Sequence, residues 1–119
     1  MLNLDTHILI SAFIGDLSQK ERRILRREEW AVSSIVLWEI AKLKSLGRVD
    51  LELDSIEFSR AIAQVATLPI TLAIAAKSTE LDFVSDPADE IIAATSIVHK
   101  VPLLTRDKRI LRSKLVPFA

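Results

Sequence analysis

The sequence predicts an α/β fold: a three-layer α/β/α sandwich around a short, mostly parallel sheet, with residues 1–119 forming a single domain. Three observations carry this expectation. Short apolar runs of strand length alternate with segments of helical periodicity along the whole chain, the pattern of a parallel sheet wrapped by helices. Half of the 119 residues are hydrophobic, which is enough for one sizeable core in a chain of this length and leaves no room for a second. No internal repeat, linker or low-complexity stretch divides the chain.

Met1 to Leu4 is expected to be a strand that ends at Asp5-Thr6, after which Ile8, Leu9, Ala12 and Phe13 recur at helical spacing up to Gly15. Residues 18 to 28 form a strongly charged helix with Ile24 and Leu25 inward, and Trp30 to Val32 a second strand. Ser33 and Ser34 then offer caps for a helix over about Ile35 to Leu46, closed by Gly47. Asp50 to Glu57 is acidic and turn-like, and Ile56 to Ala66 is helical with Phe58, Ile62 and Val65 along one side. Leu68-Pro69-Ile70-Thr71-Leu72 reads as a short strand, which its proline confines to an edge, and Ala73 to Leu81 as a helix. Asp86-Pro87 opens the next helix, to about His99, which is apolar on nearly every face. Val101 to Thr105 is a strand ending in Arg106-Asp107, Lys108 to Arg112 a short helix, and Leu115 to Phe118 a final edge strand.

Charge and composition narrow the function classes. Sixteen basic residues balance sixteen acidic ones, so polyanion binding needs a local patch, and there are two: Lys20, Arg22, Arg23, Arg26, Arg27, and Arg106, Lys108, Arg109, Arg112, Lys114. There is no cysteine, which excludes disulfides and zinc thiolates and agrees with a reducing, cytoplasmic setting. Residues 1 to 14 have no basic lead and carry Asp5 inside the apolar run, so no signal peptide is expected, nor any membrane partner, since no apolar stretch reaches spanning length.

The chemistry-bearing residues are acids. Asp5 and Asp107 each follow an apolar strand and precede a helix, so both have an ordinary use as N-caps. Asp89 has one as the capping partner of Asp86, and Glu39 as an exposed partner of Lys42. Their distribution adds a second meaning, because the carboxyl ends of parallel strands share one edge and ligands bind in the crevice there. If Asp89 opens its helix at that edge and Glu39 turns inward, four carboxylates converge. Converged carboxylates repel, and a hard divalent cation with oxygen ligands resolves the repulsion. Such a cation lowers the pKa of bound water and offsets charge on phosphate oxygens, which is phosphoryl chemistry. His7 and His99 are not expected to be ligands.

Leu2-Asn3-Leu4-Asp5-Thr6, Ser33-Ser34-Ile35-Val36-Leu37-Trp38-Glu39-Ile40-Ala41, Asp86-Pro87-Ala88-Asp89-Glu90-Ile91-Ile92-Ala93-Ala94-Thr95 and Leu103-Leu104-Thr105-Arg106-Asp107 resemble, in order, the four signature segments of PIN-domain ribonucleases. Among these the chain is most similar in type to the VapC toxins of bacterial toxin–antitoxin pairs. The resemblance implies a PIN-like fold and a Mg2+- or Mn2+-dependent endoribonuclease, with Asp5, Glu39, Asp89 and Asp107 as the catalytic and metal-binding quartet. It further implies that the hydroxyls of Thr6 and Thr105 support the quartet, that the protein dimerises, and that a cognate antitoxin crosses the acidic groove. Glu90 departs from the pattern, since relatives often carry arginine there, and Asp86 and Glu90 are further acids at the edge of the site. Arg106, Lys108 and Arg109 are expected to help hold single-stranded or loop RNA. The alternatives are a PIN nuclease of RNA processing without a toxin role, and a receiver-like phosphoacceptor domain. The latter wants paired acids after the first strand and a lysine after the last, where this chain has a lone Asp5 and Arg106-Asp107.

Overall fold

The computed structural model describes residues 1–119. In chain order it contains β1 (Leu2–Leu4), α1 (Thr6–Ile14), α2 (Gln19–Leu25), β2 (Trp30–Ser33), α3 (Ser34–Ser45), α4 (Ile56–Ala63), β3 (Ala66–Leu68), α5 (Leu72–Ser78), α6 (Pro87–His99), β4 (Leu103–Leu104) and α7 (Lys108–Leu111). The four strands make one parallel sheet in the order β3-β2-β1-β4. Successive side chains of a strand point to opposite faces, yet Leu2, Asn3 and Leu4 of β1 and Ala31, Val32 and Ser33 of β2 are all buried. Both faces of the central strands are therefore covered, as the layered α/β expectation requires. No helix is long and apolar enough to cross a membrane.

In the sheet β1 and β4 are neighbours; the chain leaves β1 toward β2 on one side, and after β4 it leaves the other way, to the bridge of Phe118 with Leu103. That is the switch point at which a parallel sheet opens a crevice at its carboxyl edge. One fully buried polar residue fixes what lies over it. The Asn3 side-chain amide donates to the Ile92 carbonyl (3.2 Å) and to the Ser96 hydroxyl (2.9 Å), tying β1 to the middle of α6, while its Oδ1 is buried without a partner. The tie holds the first turn of α6 in a defined position over the end of β1. Asn3→Ala is expected to lower stability by about 1–3 kcal/mol, because the Ser96 hydroxyl is left unpaired in the core. A urea midpoint equal to that of the wild type would show that the amide contributes nothing to the docking of α6.

Several expected boundaries shift, each for a local reason. The strand expected over Leu68–Leu72 lies instead at Ala66–Leu68. Pro69 has no N–H to give the ladder, and Thr71 caps α5 by accepting from Ile74 N–H. As expected of a segment next to proline, this strand is at the sheet edge. The helix after β2 begins at Ser34, with Ser33 as its sole serine cap, and ends in Gly47, whose φ of 70° supplies the left-handed turn. The charged helix stops at Leu25, and the helix expected to reach Ala66 stops at Ala63. The segment expected as a final strand pairs only through the parallel bridge of Phe118 with Leu103.

Candidate active site

Asp5 stands at the carboxyl end of β1 and is 3% exposed. Its two oxygens are divided between two uses. Oδ1 accepts from the Thr6 backbone N–H at 2.8 Å, capping α1, and Oδ2 accepts from the Thr105 hydroxyl at 2.6 Å. Capping α1 therefore does not exclude a second contact, to the end of the neighbouring strand. Burial pushes the Asp5 carboxyl above its ordinary range, against the Thr105 and Thr6 hydrogen bonds that favour the ion. Thr105 follows β4 directly and also accepts from Asp107 N–H at 3.0 Å, so one hydroxyl joins the ends of the two adjacent strands.

Glu39 lies mid-way along α3 and turns inward, since its Oε1 accepts from the Thr6 hydroxyl; the alternative pairing with Lys42 does not form. The expectation that Thr6 and Thr105 support the acids therefore corresponds to two hydroxyls, each donating to a different carboxylate. Asp107 caps α7, accepting from Arg109 N–H (2.8 Å) and Ile110 N–H (3.3 Å) through Oδ1.

The first turn of α6 is built differently from the capping pattern. Asp86 has the extended backbone of an N-cap, but its side chain caps nothing, and Asp89 does not reach back to it. Both contacts go one residue earlier, to Ser85. The Ser85 hydroxyl donates to Asp89 Oδ2 at 2.7 Å, and the Ser85 N–H donates to Glu90 Oε2 at 3.3 Å. Glu90 is thereby drawn back onto the loop before the helix, and Asp86 is exposed. Sequence reasoning missed Ser85 and Asn3. A polar residue inside an otherwise apolar, doubly covered strand was the available signal for Asn3; Ser85 had none, since its role depends on the loop path.

The electrostatics bring the four acids together. The Asp89 carboxyl is raised from its ordinary 3.8 to about 6, first by burial, and then by the negative charges of Asp5, Glu39 and Asp107, against the Ser85 hydrogen bond. No lysine or arginine pairs with any of the four. Each acid is held by its own hydroxyl or amide donor, and as the side chains stand no three acidic or imidazole groups enclose a position for an ion. The donor chemistry nevertheless fits a hard divalent cation. It is all oxygen, no lysine or arginine forms an ion pair with it, and Glu39 Oε2, Asp89 Oδ1 and Asp107 Oδ2 are free of protein hydrogen bonds.

The cations expected to hold RNA divide in two. Lys108 and Arg109 are exposed and make no ion pair. The Arg106 guanidinium is occupied: it donates to both oxygens of Glu21 at 2.7 Å and to the Asp16 carbonyl at 2.8 Å. The bidentate geometry holds the Glu21 carboxyl down at about 2, below its ordinary 4.5, chiefly through the Arg106 hydrogen bonds. A lowered carboxyl stabilises above its unfolded pKa and loses that contribution as pH falls through the folded one. The wild type is therefore expected to lose roughly 1 kcal/mol more than Glu21→Gln between pH 4.5 and 2, a figure discounted for solvent screening. Thermal unfolding across that window checks this, and parallel curves would contradict it.

The PIN domain model matches residues 3–114 of the chain. The chain is 36% identical over 113 residues to Ribonuclease VapC22 of Mycobacterium tuberculosis, an alignment covering 90% of this chain and 87% of the relative. Among solved structures it is similar to a toxin–antitoxin complex from Klebsiella pneumoniae, with TM-score 0.72 and 23% identity over 94% of this chain and 91% of the other. FitAcB from Neisseria gonorrhoeae aligns with TM-score 0.71 and 18% identity over 100% and 97% of the two chains. VapBC2 from Rickettsia felis, solved with a DNA fragment from its promoter, aligns with TM-score 0.69 and 17% identity over 100% and 98%. At these identities the three structures speak for the fold.

Proposed function

The chain belongs to the PIN-domain family, and from that premise we propose that it is a Mg2+- or Mn2+-dependent endoribonuclease, cutting single-stranded or loop regions of RNA as the toxin of a toxin–antitoxin pair. The observation that carries the reading is the raised Asp89 carboxyl, which feels Asp5, Glu39 and Asp107 together while no lysine or arginine forms an ion pair with any of the four. A bound divalent cation supplies a more acidic water and offsets charge on the scissile phosphate.

The remaining work belongs to the chain's own side chains. Asp5, Glu39, Asp89 and Asp107 hold the cation, and the hydroxyls of Thr105, Thr6 and Ser85 orient three of them, so that the carboxylates keep fixed directions when the charge between them changes. Asp89, raised to about 6, and Asp5, raised by burial, are the quartet members that hold a proton more tightly than an ordinary carboxyl when no cation is bound. Lys108 and Arg109 attract the phosphate backbone from the exposed side of α7. The toxin role draws support from the ribonuclease relative and from the toxin–antitoxin assemblies that share the fold. A homodimer and an antitoxin partner in the cytoplasm complete the proposal.

Purified protein with Mg2+ is expected to cut unstructured RNA and to stop when EDTA is added. RNA cleaved equally in excess EDTA would sink the metal assignment, and RNA left intact under both conditions would sink the nuclease reading. Growth arrest on expression of the chain alone, relieved by a neighbouring small reading frame, would separate a toxin from an RNA-processing nuclease.

A further inference from the structure

The stretch from Lys20 to Arg27 carries Lys20, Arg22, Arg23, Arg26 and Arg27, all exposed, and none of them takes part in an ion pair. Gln19, Arg22, Arg23 and Arg26 line one shallow depression that contains neither a hydrophobic residue nor a carboxylate. Like charges gathered round one hollow repel, and an anion seated there relieves them. The one acid of α2 does not serve, since Glu21 is turned to Arg106 and to its own capping contacts with Ser18.

That pairing also fixes where the cationic face lies. Arg106 stands between Thr105, which donates to Asp5, and Asp107. Its clamp on Glu21 and on the Asp16 carbonyl therefore fastens the first turn of α2 to the loop that carries Asp107. The arginine face starts beside the acidic edge and runs away from it. Arg106 is accordingly a positioning residue for that face.

We propose that the Arg22, Arg23 and Arg26 face of α2 binds the phosphate backbone of the single-stranded RNA whose scissile bond lies at the acidic quartet. The proposal rests on the ribonuclease reading. Guanidinium groups match phosphate oxygens bidentately, and no hydrophobic residue lines the hollow to take a peptide's apolar side chain. The contact therefore holds the strand without reading its sequence.

The test is the salt dependence of binding, measured by fluorescence anisotropy with a labelled single-stranded RNA of mixed sequence in EDTA, where no cut is expected. Each phosphate contact on a single strand contributes about 0.7 to the slope of log affinity against log salt, so replacing all three arginines by glutamine is expected to reduce the slope by about 2. Replacement of all three by lysine keeps the charges and is expected to keep the slope. An unchanged slope in the glutamine variant would overturn the proposal. So would an equal loss in the lysine variant, which would mark the change as structural. The nuclease reading is judged separately, by whether the wild type cuts RNA with Mg2+, and it survives either of these failures.

Discussion

Asp5→Asn and Asp89→Asn are each expected to reduce RNA cleavage by on the order of a hundredfold to a thousandfold while leaving the protein folded. Asparagine is as good an N-cap as aspartate, so at position 5 the amide oxygen still accepts from Thr6 N–H, while the amide NH2 replaces Oδ2 and the Thr105 hydroxyl has to turn and accept from it. At position 89 an amide oxygen still accepts from Ser85. What disappears is the negative charge, which the fold tolerates at a cost in both positions: burial raises the carboxyl at each, and at Asp89 three neighbouring acids add to it. Cleavage at the wild-type rate by either variant, with unchanged circular dichroism, would remove the quartet from the chemistry.

The same crowding predicts a second large effect, on stability. In metal-free buffer the folded protein is expected to lose stability as pH rises from 3.8 to about 6, the interval between the ordinary and the folded pKa of Asp89. The sign follows from proton binding. A carboxyl raised in the folded state holds its proton there more tightly than in the unfolded chain, so ionising it disfavours folding, and the whole penalty is in force above about 6. Discounted because Asp89 is only half-buried, the penalty is roughly 1–2 kcal/mol. Mg2+ at neutral pH is expected to offset it, and Asp89→Asn to reduce the slope, leaving the part due to Asp5, and to remove most of the Mg2+ stabilisation. Thermal midpoints over pH, with EDTA and with Mg2+, decide the point. A wild type that is equally stable across the interval, and indifferent to Mg2+, would contradict it.

Much of this architecture is written in local patterns. A short apolar run ending in a capping acid marks both Leu4-Asp5 and the approach to Asp107, and there the cap coincides with a proposed site residue, so local chemistry is enough to pick out both positions. Proline at Pro87 fixes the start of α6. Elsewhere the deciding contacts are distant. Whether Glu39 faces solvent or the site depends on Thr6 of another helix, which helical periodicity cannot express. The pairing of Arg106 with Glu21 joins residues 85 positions apart, and without it Arg106 reads as one more free cation. β3 escapes the pattern because Ala66 and Thr67 are exposed at the sheet edge and show no alternation, while the stronger apolar letters around Pro69 lie outside the ladder. At Asp86 the pattern of a capping box is present in the sequence, and the loop path gives its contacts to Ser85.

Direct titration of Mn2+, followed by its electron paramagnetic resonance signal, tests the claim that these four acids form one cation site. The wild type is expected to quench the free-ion signal with saturation, and Asp5→Asn, Glu39→Gln, Asp89→Asn and Asp107→Asn are each expected to weaken that binding, while Asp86→Asn leaves it unchanged. Saturable Mn2+ binding that survives in all four quartet variants would contradict the claim.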